Sequence, residues 1–256
     1  MAWKGIEVML MLLTEKGKSV FRKFYKAVWP RLTGDEVLTA VIVARKKYAN
    51  ISRSEELLAY EILKHDDFSY VWRRLKRLGY VKNIYVDYKT GKPIPAKAMT
   101  LYVDLHPKSV LKAYEKLIAE SLVEAMFVKQ STTVAQKFKN LDRHWFSCIC
   151  RSRTRKPVYL VDIDVKDQDV LQQVVNCLES DVLWITETRG GYHIIINNEN
   201  PGARFYFDRK KRSIIWMHDD KREELRLPHV EVHYDQAQTP VPGSMQGGYF
   251  VKGDKP

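Results

Sequence analysis

Val158-Tyr159-Leu160-Val161-Asp162-Ile163-Asp164-Val165 is an apolar run that closes on two carboxylates one residue apart. It reads as a β-strand, and the two-residue period of a strand puts Asp162 and Asp164 on one face. Two anions held that close need a cation between them. Downstream, Val170 to Leu178 has helical spacing with Asp167 or Asp169 as a cap, and Val182-Leu183-Trp184-Ile185-Thr186 reads as a second strand. Thr188-Arg189-Gly190-Gly191 is a tight turn, able to approach phosphate closely, that leads into the strand Tyr192-His193-Ile194-Ile195-Ile196. Ser213 to Met217 forms a hairpin between charged flanks, and Val230 to Asp235 alternates again. Strand, helix, strand, strand, hairpin, strand is the order of an antiparallel sheet with helices on one side. The expected fold class is therefore α+β, with a ferredoxin-like (RRM-like) core.

On the last strand Glu231, His233 and Asp235 share a face, and any of them could complete the site opened by Asp162 and Asp164. Mg²⁺ and Mn²⁺ favour oxygen ligands, which ranks the carboxylates above the imidazole. Periodicity does not choose between Glu231 and Asp235.

The chain has 256 residues, 45% of them hydrophobic and 29% charged, an ordinary composition for a globular protein. The apolar stretch Val8 to Leu13 is far short of a spanning helix or a secretion signal. Cys148, Cys150 and Cys177 form no disulfide framework, so a cytoplasmic or nucleoid-associated location, away from membranes, is expected. Residues 1–120 carry 23 basic and 13 acidic side chains, residues 121–256 carry 20 and 18. The first half thus looks like the part that holds a polyanion.

In that half, Glu36 to Lys47 reads as a helix ending in Arg45-Lys46-Lys47, and Ser52 or Ser54 caps a second helix begun by Glu55 and Glu56. Asp66-Asp67 starts a third, in which Phe68, Val71, Leu75 and Leu78 form the buried stripe while Arg73, Arg74, Lys76 and Arg77 crowd the other faces, up to a stop at Gly79. Ile84 to Tyr88 and Met99 to Val103 then look like strands joined through Lys89-Thr90-Gly91-Lys92-Pro93. Helices followed by a hairpin predict a mainly helical, possible winged-helix domain over 1–120, with the four helix cations, Lys89 and Lys92 on nucleic-acid phosphates. A helix over Lys108 to Glu124 links it to a catalytic domain over 121–256. No Gly/Ser linker, low-complexity tract or repeat marks the boundary. Arg151, Arg153 and Arg155 are further candidates for a nucleic-acid backbone.

Asp162-Ile163-Asp164, Arg189-Gly190-Gly191-Tyr192-His193 and Tyr234-Asp235, followed by Pro242-Gly243-Ser244-Met245-Gln246-Gly247-Gly248, resemble the catalytic motifs of the archaeal and eukaryotic primase small-subunit superfamily, which includes primase-polymerases of plasmids and viruses. The resemblance covers about residues 158–250. It implies two Mg²⁺ or Mn²⁺ ions on Asp162, Asp164 and Asp235, with His193 and Arg189 on the incoming triphosphate and Gly190, Gly191, Ser244 and Gln246 beside it. It also implies a DNA template or primer-template, an NTP or dNTP, and a helicase or other replication protein as partners. Where replicative members place His and Lys after Pro-Gly-Ser, this chain has Gln246 and Gly248, and Gly190 replaces a second arginine, so fewer cations face the triphosphate. His144, Cys148 and Cys150 fall short of a four-ligand zinc set, and zinc is not expected. No Walker-type motif is present, so unwinding requires a partner. The expected function is a DNA primase or primase-polymerase. The alternatives are a non-catalytic replication initiator with the same fold and a template-independent nucleotidyltransferase.

Overall fold

The computed structural model describes residues 10–81, 85–87, 89–127, 140–178, 181–198, 205–208, 213–218, 221–233, 235 and 237–255. In chain order these form β1 (Leu10–Met11), α1 (Glu15–Val28), β2 (Glu36–Arg45), β3 (Glu55–Leu63), α2 (Phe68–Leu78), β4 (Tyr80–Val81), β5 (Met99–Ser109), α3 (Val110–Phe127) and α4 (Leu141–Cys150). Next come β6 (Val158–Ile163), α5 (Gln168–Leu178), β7 (Val182–Glu187), β8 (Tyr192–Asn197), β9 (Phe205–Asp208), β10 (Ser213–His218) and β11 (Lys221–Arg226). β12 (Val230–His233), β13 (Gln238–Pro240), β14 (Met245–Gln246), β15 (Tyr249–Phe250) and β16 (Lys252–Asp254) complete the series. The result is a mixed α+β structure built on antiparallel sheets.

One sheet has the order β12-β6-β8-β7-β16. Its alternation sorts the side chains cleanly. Val161, Ile163, Ile194, Ile196, Val230 and Val232 pack on Leu171, Val174 and Leu178 of α5, whereas Val158, Leu160, Trp184 and Ile195 on the opposite face join a larger core. Asp167 caps α5, its carboxylate accepting from the N–H groups of Asp169 and Val170 at 2.8 and 3.2 Å. β9, β10 and β11 form a separate antiparallel sheet between β8 and β12 in sequence. No helix among the described residues is long and apolar enough to cross a membrane.

The other large sheet runs β15-β14-β5-β2-β3, with β13 also on β5. Here the expected helices over residues 36–47 and 55–63 are both strands. Val37, Thr39, Val41, Ile42 and Val43 are β-branched, and β2 is buried on both faces, so its apolar run carries no alternation to distinguish it from a buried helix. Glu55 and Glu56 sit on an edge strand, where charged side chains suit an unpaired edge. The third expectation is met: α2 begins at the cap Asp67, whose carboxylate accepts from the Tyr70 N–H at 2.7 Å, and ends at Gly79.

The expected wing does not form. Met99 to Val103 belongs to an eleven-residue strand between β2 and the C-terminal strands, and among the described residues 85–87 pair locally with 92–94 instead, through the Val86–Pro93 bridge and the Asp87 and Ile94 N–H groups. Ile84 and Tyr88 lie outside the described residues. Strands β13 and β14 bring residues 238–246 onto β5, so one core bridges the boundary expected near residue 120. Phe21 and Phe24 of α1 lie in that core with Leu38, Leu101, Leu160 and Trp184, the Phe24 and Trp184 rings meeting edge to face at 5.6 Å.

Because Phe24 is fully buried between the two halves, Phe24→Ala should cost about 3 to 5 kcal/mol in urea unfolding. The fluorescence and circular dichroism transitions should coincide. Separate transitions for the two halves would contradict a shared core.

Candidate functional site

A cleft of about 270 Å³ opens where the inner face of the β12-β6-β8-β7 sheet meets the ends of β2 and β5. Along β6 the series Val158, Leu160, Asp162 shares one face. The first two residues fill the core, and the third reaches the cleft. Asp164 follows just beyond the strand, its N–H donating to the His229 carbonyl at 2.9 Å. His193 lies opposite Asp162 in the β6–β8 register, with Nε2 3.3 Å from Oδ1. Burial pushes its pKa below the ordinary value; Asp162 pulls it up, while His233, Lys47 and Arg45 push further down. Nε2 faces the Asp162 carboxylate without a hydrogen bond to it, and the buried Nδ1 has no hydrogen-bond partner among the described residues.

Gly190 and Gly191 border the same cleft, as expected. Gly191 is there because nothing larger fits: a Cβ would stand 1.8 Å from the Ile163 carbonyl oxygen, the peptide between the two aspartates. The turn is closed by Thr188, which carried no signal in the sequence. Its hydroxyl accepts from the N–H groups of Gly190 and Gly191 at 3.3 and 3.1 Å and donates to the Gly191 carbonyl at 3.1 Å. Those two amides are therefore committed inside the turn rather than aimed at a phosphate. Arg189 is committed as well. Its N–H donates to Gln246 Oε1 at 2.8 Å, its guanidinium donates to the Gly247 carbonyl at 2.6 Å, and it stacks 4.9 Å from the Tyr48 ring centre.

Gln246 lines the cleft, but Ser244 is fully buried outside the lining. The Pro242-Gly243-Ser244 segment packs under α1, where a Cβ on Gly17 would meet the Gly243 carbonyl oxygen at 1.9 Å. Its immediate role is thus to seat the loop that carries Gln246.

Asp235 is not brought to the aspartate pair. Its exposed carboxylate lies 2.6 Å from Lys156 Nζ and 3.6 Å from Arg153, and it is absent from the cleft lining. The β12–β6 register puts Glu231 across from Asp162 and His233 across from Leu160, and Asp235 follows only after the strand has ended, on the side away from Asp162. Tyr234 lies outside the described residues.

The opposite wall comes from the first half and was missed as a site. Val43, Arg45 and Tyr102 from β2 and β5, and Lys47 from the short turn Lys46–Tyr48, face the acids. The only sequence signal was the cationic end of an apolar run, which a helix reading assigned to a helix terminus.

The nucleic-acid candidates divide. Arg74 and Arg77 both pair with Glu61 of β3, Lys76 with Glu15, Arg151 with Glu120, Arg153 with Asp235 and Arg155 with Glu36. Arg73, Lys89 and Lys92 are exposed. The Lys89–Lys92 turn is docked by Asp87, which accepts from the Ser52 N–H at 2.6 Å in the loop after Lys47.

A second group of ligand atoms joins α3 to α4. Glu120, His144 and Cys148 place their donor atoms within 4.8 Å of one another, a geometry able to hold a metal ion. The Arg151 guanidinium grips Glu120 at 2.7 and 2.8 Å and holds its pKa down to about 2, with His144 adding to the effect. Burial pushes the Cys148 thiol up, away from the thiolate a metal requires.

In the main cleft the donor set of carboxylate oxygens fits a hard divalent ion such as Mg²⁺ or Mn²⁺. Glu231 is exposed and stands just outside the lining, and its position across from Asp162 makes it the carboxylate the register supplies as a third ligand. In Mn²⁺ titrations followed by the signal of the free ion, Glu231→Gln should weaken binding at least about tenfold, while Asp235→Asn stays within about twofold. The reverse ranking would contradict the register argument. No protein-family model, curated protein or solved structure matches this chain.

Proposed function

We propose that this chain is a metal-dependent nucleotidyltransferase of the primase-polymerase kind, adding nucleotides from NTP or dNTP to a DNA primer-template or starting chains on a template. The observation that carries this reading is the convergence of Asp162, Asp164 and His193 on one cleft whose facing wall is cationic. The strand order β12-β6-β8-β7, with α5 crossing from β6 to β7, supports a ferredoxin-like core in which β9 to β11 stand where the second helix would be.

In the proposed reaction a primer 3′-hydroxyl oxygen bonds to the α-phosphorus, the bond between the α- and β-phosphates breaks, pyrophosphate leaves, and the hydroxyl proton passes to water. Bound Mg²⁺ or Mn²⁺ would lower the pKa of that hydroxyl and neutralise charge on the pyrophosphate. Asp162, Asp164 and Glu231 are the residues that would hold the ions. His193, with Nε2 3.3 Å from Asp162 Oδ1, stands where it would reach a phosphate oxygen of a nucleotide held at the aspartates. Gly191 lets the turn close tightly on the peptide between the aspartates, so both acids are backed by rigid main chain. The commitment of Arg189 and of the glycine amides within the protein favours a second reading, a nucleic-acid-binding initiator that retains the fold without polymerising.

Asp162→Ala and Asp164→Ala should each lower metal-dependent incorporation by at least about a thousandfold, as expected for loss of metal-based charge stabilisation. Thermal stability should hold or rise, because each change removes one of two neighbouring anions. The measurement is labelled-nucleotide incorporation with Mg²⁺ or Mn²⁺ on templates with and without primer. Binding of template without incorporation by the parent protein under every condition would leave the initiator reading standing instead.

Template affinity has its own test. Lys89→Ala/Lys92→Ala should reduce the salt slope of single-stranded DNA binding by up to about 1.4, roughly 0.7 for each phosphate no longer neutralised. Arg74→Ala/Arg77→Ala should leave the slope nearly unchanged and lower the melting temperature, since it strips Glu61 of both partners. An effect on the slope from the arginine pair alone would return DNA binding to α2.

A further inference from the structure

The cleft contains an imbalance. On its acidic wall Asp162 and Asp164 are two carboxylates with one neutral histidine beside them. On the facing wall Arg45 is satisfied within the protein, its guanidinium 2.7 Å from Glu55 and 2.8 Å from the Tyr102 hydroxyl. Lys47 is not. Its ammonium makes no hydrogen bond or ion pair with any described residue, and it lies over the Tyr48 ring, 5.4 Å from its centre. Yet it lines the cleft and feels both Asp164 and Asp162. Partial burial, with Arg45 adjacent, holds its pKa below the ordinary value against the pull of those acids.

A cation that faces two carboxylates across open space, without closing a salt bridge to either, is arranged to share an anionic ligand with whatever those carboxylates bind. Arg189 keeps its charge but does not line the cleft, its guanidinium being turned to the Gly247 carbonyl, and Gln246 is neutral. We propose that Lys47, carried by the turn after β2, is the principal protein cation for the β- and γ-phosphates of the incoming nucleotide. It thereby supplies from the facing sheet the charge that the segment after Pro242-Gly243-Ser244 lacks. Arg45 stays on its protein partners, Glu55 and Tyr102. This inference rests on the reading of the cleft as a nucleotide site.

The test uses the full chain and Ca²⁺, which permits nucleotide binding without turnover, with ATP and AMP as probes in calorimetric titrations. The parent protein should bind ATP more tightly than AMP. Lys47→Met should weaken ATP binding roughly ten- to a hundredfold, the range for one charge-assisted phosphate contact, and change AMP binding less than about twofold. Lys47→Arg should recover most of the ATP affinity, which a merely structural role would not require. Affinity for single-stranded DNA should be unchanged in both variants. If the parent protein prefers ATP and Lys47→Met binds it equally well, the assignment of Lys47 fails while the nucleotide site stands. If Lys47→Met instead loses DNA affinity, the residue belongs to the template path and the proposal is wrong. Failure of the parent protein to distinguish ATP from AMP would overturn the nucleotide-site reading and this inference together.

Discussion

Asp162 and Asp164 are like charges held beside each other at the mouth of a buried strand, and most of the surrounding structure keeps them there. Valine and leucine at positions 158 and 160 anchor the same strand face in the core, so the aspartates cannot turn away from each other without pulling those residues into water. The turn after β7 presses on the intervening peptide so closely that position 191 tolerates only glycine. Two carboxylates and a buried histidine converging on one cleft, with Arg45 and Lys47 facing them, form a polar pocket of the kind that marks a candidate binding site.

The counter-charges arrive from distant sequence. β2 and β5 are laid against the C-terminal strands, which brings Arg45 and Lys47 over acids more than a hundred residues downstream. The same closure explains why the two halves share one core and why α1 packs on the Pro242-Gly243-Ser244 loop. A cleft built from both sheets also ties the proposed metal and phosphate chemistry to the integrity of the whole chain.

Local patterns carried far in the sequence, and non-local ones did not. The α2 boundaries were legible because Asp67 and Gly79 are end signals that act within one turn. β6, β7 and β8 were legible because each is a short apolar run bounded by turn residues, and α5 because one face is buried and its helical period survives. β2 was not, since burial on both faces erases alternation, and only its β-branched residues argued for a strand. The choice between Glu231 and Asp235 depended on register, which is set by pairing with β6 and cannot be read from β12 alone. Likewise the arginines of α2 looked available for phosphate until β3 brought Glu61 beside them. Asp162, Asp164 and His193 were found because chemistry as well as periodicity pointed to them. Lys47 carried a charge but no pattern.

In the proposed site the aspartate pair and the facing lysine together hold a metal-bound triphosphate. Diffraction from crystals soaked in Mn²⁺ and a non-hydrolysable nucleoside triphosphate, recorded for the anomalous signal of manganese, tests it most directly. The account predicts manganese bonded to Asp162 and Asp164, with the triphosphate extending toward Lys47. Manganese confined to Glu120, His144 and Cys148, or a nucleotide bound away from the aspartate pair, would contradict it.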